Sequence, residues 1–158
     1  MYFREATQRD YNSIYMMGYD TWSEGRPVDE YIDECQNSLK YKQGKWFVLQ
    51  HKNQLLSSLI LYKFSNNTFG IGSISTPREL REQGYASKLI QEVILHLEKE
   101  SHETVIYLYS DINTNFYKKF NFLELDADAQ RYNTTTCMVR AKNPLKSLKD
   151  KGGSPEYF

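Results

Sequence analysis

The chain has 158 residues, 40% of them hydrophobic and 25% charged, enough for one compact domain with a real core and of ordinary globular composition. Lysine plus arginine equals aspartate plus glutamate at 20 each, so no global field steers the protein toward nucleic acid or an anionic membrane. Cys35 and Cys137 are the only cysteines, and no His/Cys group has zinc-ligand spacing, which argues for structural thiols and against a metal centre. Met1 leads straight into Tyr2-Phe3-Arg4 without an apolar signal core, and no apolar run approaches membrane-spanning length; we expect a cytoplasmic protein without a membrane partner.

Residues 2–6 read as a first strand, and Thr7 with Asp10 three positions on reads as a helix-capping pair. A helix from about Arg9 carries the stripe Tyr11, Ile14, Tyr15, Gly18 and Trp22. Residues 23–27 break it, and Val28, Tyr31, Ile32, Cys35 and Leu39 give a second helix with the same spacing. Residues 46–50 and 55–64 read as two strands of a hairpin around His51-Lys52-Asn53-Gln54, with His51 as a surface loop residue. After the turn 65–68 a third antiparallel strand, 69–75, is loosened by Gly70 and Gly72, which leave space for another backbone beside it.

A turn at Pro77 leads to Arg81-Glu82-Gln83-Gly84-Tyr85-Ala86, and from Ala86 the positions Leu89, Ile90, Val93, Ile94 and Leu97 form one face of an amphipathic helix, with Leu95 off the stripe. Free backbone N–H groups at a helix N-terminus make an anion site, Gly84 and Ala86 admit close approach, and Arg81 adds a charge-assisted contact. The Gly-Lys-Ser/Thr of a nucleotide P-loop and the three-glycine dinucleotide fingerprint are both missing, so a nucleotide triphosphate or NAD fits less well. Residues 104–109, apolar in both alternating sets, read as a strand covered on both faces and parallel to 69–75 through a right-handed crossover. In 110–122 a short helix puts Phe116 and Phe120 on one face beside Tyr117 and ends near Asn121, which enters the left-handed region readily. Two closing strands, 123–126 and 134–141, follow, and the tail 143–158 is expected to be poorly ordered or to dock through Tyr157 and Phe158.

The turn at Arg81 resembles the pyrophosphate loop of the acetyl-CoA-dependent N-acetyltransferases of the GNAT superfamily, Arg/Gln-x-x-Gly-x-Gly/Ala, with Arg81, Gly84 and Ala86 in its fixed positions. Tyr117 with Asn121-Phe122 is similar to that family's second signature, a tyrosine separated by three residues from Gly-Phe, and the order of elements over residues 2–141 matches its plan. The resemblance implies an α/β (α+β) GNAT fold, a mixed sheet of about seven strands flanked by about four helices, as one domain over 1–142 with the tail 143–158. It further implies acetyl-CoA as cofactor, bound by the main chain of Ile74, Ser75 and Thr76, by the loop Arg81, Glu82, Gln83, Gly84, Tyr85, Ala86 and Ser87, and by Asn113, Asn115 and Tyr117. Trp22, Glu24 and Tyr31 become candidate acceptor neighbours, and Arg26 lies among them. Tyr117 would protonate the departing thiolate, and Asp111 is the candidate base, with helix capping as its other reading. Glu82 stands where the family often has glycine and is tolerable beside a polyanion if it faces solvent. The implied activity is acetyl transfer to a primary amine, a small molecule or a peptide, by direct attack in a ternary complex of a monomer or homodimer. A non-catalytic acyl-CoA-binding or partner-binding module on the same fold is the competing expectation.

Overall fold

The computed structural model describes residues 1–158. Seven strands, β1 (Tyr2–Glu5), β2 (Lys45–His51), β3 (Gln54–Lys63), β4 (Thr68–Ser75), β5 (Val105–Ser110), β6 (Leu123–Glu124) and β7 (Thr136–Arg140), are hydrogen-bonded in the order β1-β2-β3-β4-β5-β7-β6. β1 and β2 pair antiparallel from Tyr2–Gln50 to Glu5–Phe47, and β2 and β3 pair antiparallel around a turn in which Lys52 takes φ +52°. β4 runs parallel to β5 at Thr68–Val105, Phe69–Ile106 and Gly70–Tyr107, whereas β7 pairs antiparallel with both β5 and β6. A mixed sheet of this kind is what a strand, a crossover helix and a returning strand produce when a hairpin precedes them.

Seven helices accompany the sheet: α1 (Tyr11–Met17), α2 (Tyr19–Trp22), α3 (Val28–Asn37), α4 (Leu39–Lys42), α5 (Tyr85–Glu98), α6 (Asn115–Lys118) and α7 (Leu145–Lys149). The expected count of about four rises because both N-terminal helices are divided and the tail forms one more turn of helix. Gly18, at φ −100° and ψ 3°, ends α1, and Ser38, at ψ 116°, ends α3 while its hydroxyl accepts the Tyr41 N–H at 3.2 Å to start α4. Gly18 also has a packing reason: a Cβ there would stand 2.0 Å from the Trp22 ring.

The contacts divide the chain into two compact units. The first contains 1–62 and 73–95, and within it Ile14, Val48, Leu59, Leu89 and Val93 are buried to 2% exposure or less. On α5 the buried positions are Leu89, Ile90, Val93, Ile94 and Leu97, while Leu95 is exposed, as the periodicity requires. Each such aliphatic contributes roughly 1.5–3 kcal/mol of gross burial free energy.

The second unit contains 63–72 and 96–158. One cluster of its core is Tyr107, Leu125, Ala129, Cys137 and Val139, against which Tyr109, Leu148 and Phe158 pack, so residues from the tail complete it. Phe158 lies 5.3 Å from Phe64 and 5.6 Å from Tyr109, ring centre to ring centre. The space at Gly70 is filled by these rings and not by a backbone: a Cβ would lie 2.6 Å from Phe158 and 2.8 Å from Phe64. No helix is long and apolar enough to cross a membrane.

Candidate functional site

In the first unit the end of β4 and the start of α5 are joined by a turn with two left-handed residues, Glu82 at φ +63° and Gly84 at φ +85°. Gly84 is exposed, and no atom lies within 4 Å of the point where a Cβ would stand, so its backbone is open to a close-approaching ligand. The Lys88 N–H makes the first intrahelical bond, to the Gly84 carbonyl at 3.0 Å, and the N–H groups of Tyr85 and Ala86 precede it. Helix α5, 14 residues long, directs the positive end of its dipole toward this turn. Glu82 and Gln83 are exposed, which is the condition under which a carboxylate is tolerated here.

Before the turn, β4 is irregular at Ser73, a non-glycine at φ +44°, the mark of a local kink or bulge. Beyond it two buried serines of β3 hold the strand. The Ser57 hydroxyl donates to the Ser75 carbonyl at 2.8 Å and lies 3.1 Å from the Thr76 hydroxyl, and the Ser58 and Ser75 hydroxyls are 3.2 Å apart. Both serines are fully buried in a strand that otherwise reads Leu-Leu-Ser-Ser-Leu-Ile-Leu, and a polar doublet in such a run needs partners nearby. That doublet was the available sequence signal for two residues the motif reading missed.

Arg81 turns inward, with Nε donating to the Thr76 carbonyl at 3.0 Å and both terminal nitrogens gripping the carboxylate of Asp20 at 2.7 Å each. Asp20, also missed from sequence, lies on α2 two residues before Trp22. Trp22 is exposed and its ring covers Gly18; Glu24 is exposed at φ +52°. Tyr31 is buried, donates its hydroxyl to the Tyr15 carbonyl at 3.0 Å and packs 5.3 Å from Tyr19. Arg26 caps the helix that carries Trp22, donating to the Ser23 carbonyl at 2.7 Å and the Trp22 carbonyl at 3.1 Å, and pairs with Glu34. Of the acceptor candidates, Trp22 and Glu24 thus offer surface, whereas Tyr31 is committed to packing.

In the second unit Asp111, Asn113, Asn115 and Tyr117 follow β5 within one short turn-and-helix segment. The Asn113 amide oxygen accepts the Asn115 N–H at 2.9 Å, which starts α6. Tyr117 is buried, with ring centres of Phe116 at 5.0 Å and Phe122 at 6.3 Å, and burial, reinforced by the Asp111 charge, pushes its hydroxyl up to about 12. Asn121 takes φ +67°, the left-handed conformation that ends α6 and turns Phe122 into the core at 0% exposure. Asp111 is exposed, and its carboxylate accepts from the Tyr157 hydroxyl at 3.4 Å.

A family model described as the acetyltransferase (GNAT) family matches residues 7–122, well over half of the chain. The chain belongs to the GNAT acetyltransferase family. Solved GNAT structures share its fold: an aminoglycoside 6'-N-acetyltransferase complexed with coenzyme A superposes with a TM-score of 0.67 at 11% identity, over 89% of this chain and 97% of the other. An N-acetyltransferase from Staphylococcus aureus Mu50 gives 0.62 at 18% identity, over 94% and 98%. A protein from Pyrococcus horikoshii gives 0.62 at 18% identity over 78% of this chain, which spans 43% of that longer one. No curated protein matches the chain. At these identities the likeness establishes the fold, and the reaction has to be argued from this GNAT chain's own residues.

Proposed function

We propose that the protein transfers the acetyl group of acetyl-CoA to a primary amine by direct attack in a ternary complex. The observation that carries this reading is Gly84: a left-handed residue with open space at its missing Cβ, at the N-terminus of a 14-residue helix, is a cradle for a pyrophosphate. In this reading the residues from Arg81 to Ser87 form the pyrophosphate loop, Ile74, Ser75 and Thr76 offer main chain to the pantetheine amides as an added strand would receive them, and Asn113 and Asn115 bond the pantetheine arm. The carbonyls of Ser75 and Thr76 already accept from Ser57 and Arg81, so the stretch is rigid where a donor N–H has to be held still.

Acetyl-CoA supplies an activated thioester. The amine nitrogen forms a bond to the acetyl carbon, the carbon–sulfur bond breaks, one proton leaves the amine and one reaches the thiolate. An alkyl ammonium has a pKa of about 10.4 and cannot attack until it loses a proton. Asp111, exposed and bonded by Tyr157, takes that proton through water. Tyr117, protonated throughout the physiological range because its pKa is about 12, donates to the sulfur. Trp22 and Glu24 would line the acceptor side.

A second reading, an acyl-CoA-binding module without turnover, is favoured by one fact: the candidate base lies exposed on the surface and not in an enclosed site that would hold it against a reacting amine. Thiol release from acetyl-CoA across a panel of primary amines, run beside calorimetric binding of acetyl-CoA, separates the two. Turnover with any amine supports the transferase; binding without turnover on the whole panel supports the module.

A further inference from the structure

Arg81 is the only cation of the turn 81–87, and the family motif invites its reading as a phosphate ligand. Its side chain is otherwise engaged. Nε donates to the Thr76 carbonyl, one terminal nitrogen donates to Oδ2 of Asp20, and the other donates to Oδ1 of Asp20 and to the Met17 carbonyl at 3.3 Å. Four of the guanidinium's five N–H groups are thereby used, and the fork-to-fork geometry with Asp20 is the one that best satisfies a carboxylate. The bond from Arg81 holds the Asp20 carboxyl below its usual range, so the pair is ionised at neutral pH. For Arg81 to offer a phosphate more than its one remaining N–H, its short bonds to Asp20 would have to be given up.

We infer that Arg81 is a positioning residue: with Asp20 it clamps the first residue of the turn to the end of β4 and to the junction of α1 and α2, and so presents the backbone from Glu82 to Ala86 without itself binding the coenzyme. This rests on the reading of acetyl-CoA as acetyl donor. The clamp joins three segments that have no other reason in sequence to stay in register, since Arg81 lies 61 residues from Asp20 and 64 from Met17. It also couples the phosphate turn to α2, which carries Trp22. Both partners are about one-third exposed, 36% and 37%, and pairs at that exposure contribute little to global stability. Loss of the clamp should therefore show in the order of the turn and in coenzyme affinity, with little change in melting temperature.

The test compares wild type with Asp20→Ala, Arg81→Ala and the double variant, by amide hydrogen exchange over residues 82–88 of the free protein, acetyl-CoA calorimetry and steady-state kinetics. The clamp predicts faster exchange in both single variants. It also predicts that each raises the dissociation constant and KM for acetyl-CoA about tenfold, that kcat stays within about twofold, and that the double variant is no worse than the weaker single. A phosphate-ligand Arg81 predicts the opposite sign at Asp20: freeing the guanidinium would leave acetyl-CoA affinity unchanged or tighten it, and that result, or additive losses, overturns the inference. If wild type binds no acetyl-CoA, the proposed function fails, and the exchange arm still decides the clamp: unchanged exchange at 82–88 in both single variants overturns it.

Discussion

Tyr117 is a packing residue to which the proposed mechanism also gives a chemical role. Its ring is wedged among Phe116 and Phe122, and the burial that holds it also keeps its hydroxyl protonated, with a pKa of about 12. Tyr117→Phe should therefore fold normally, bind acetyl-CoA as wild type does and lose roughly 10²- to 10⁴-fold in turnover. Any fall of kcat due to this tyrosine should have its midpoint above the ordinary 10, so a wild-type kcat profile still flat at pH 10 agrees with the structure. A wild-type rate in the variant would make Tyr117 a packing residue. Asp10 carries a different kind of signal. Its carboxylate accepts two bonds from Arg4, at 2.7 and 2.9 Å, and the Thr7 N–H at 2.7 Å, and these, Arg4 foremost, hold it at about 2 against an ordinary 3.8. A carboxyl lowered on folding stabilises the fold above its unfolded pKa and ceases to do so as pH falls through the folded value. About 1–2 kcal/mol should thus disappear between pH 4 and pH 2. Urea titrations at pH 7, 4 and 2.5 should show Asp10→Asn already lacking that increment at pH 7 and flatter below pH 4.

At the scale of elements, the turn into α5 concentrates the local strain of the site. Glu82 and Gly84 both occupy the left-handed region, and a β-branched side chain pays about 1–2 kcal/mol there. Gly84→Val should cost that much stability and no more, because open space and not protein surrounds the new side chain. Its effect on acetyl-CoA should be larger, at least tenfold weaker binding, since the added methyl groups stand where a phosphate would approach the backbone. Denaturant unfolding and calorimetry on one preparation measure both quantities, and unchanged affinity in a folded variant would remove the phosphate-turn assignment.

For the molecule as a whole, the C-terminal segment is a structural part of the second unit. Phe158 fills the space over Gly70 between Phe64 and Tyr109, the Tyr109 hydroxyl donates to the Pro155 carbonyl, and Arg131 donates to Ser154 at 3.1 and 2.6 Å. Phe158→Ala should destabilise the protein by about 1–3 kcal/mol, below the 3–5 typical of a fully buried phenylalanine because Phe158 is only half-buried. Thermal unfolding of wild type and variant checks this, and equal melting temperatures would mean that the tail packs without stabilising.

Features governed by neighbours in sequence were legible before any coordinates. The α5 stripe follows from a period of 3.6, the hairpin of β2 and β3 from two apolar runs around a polar turn, and the left-handed conformation of Asn121 from the steric freedom of asparagine at a helix end. The tertiary structure alone decided which distant groups meet. That Arg81 grips Asp20, that Ser57 holds Ser75 and Thr76, and that Phe158 closes over Gly70 are pairings across 61, 18 to 19 and 88 positions. Local periodicity says which face of an element is buried; it carries no rule for which polar group on one element will find a partner on another, because that is set by how the packed elements bring them within hydrogen-bonding range.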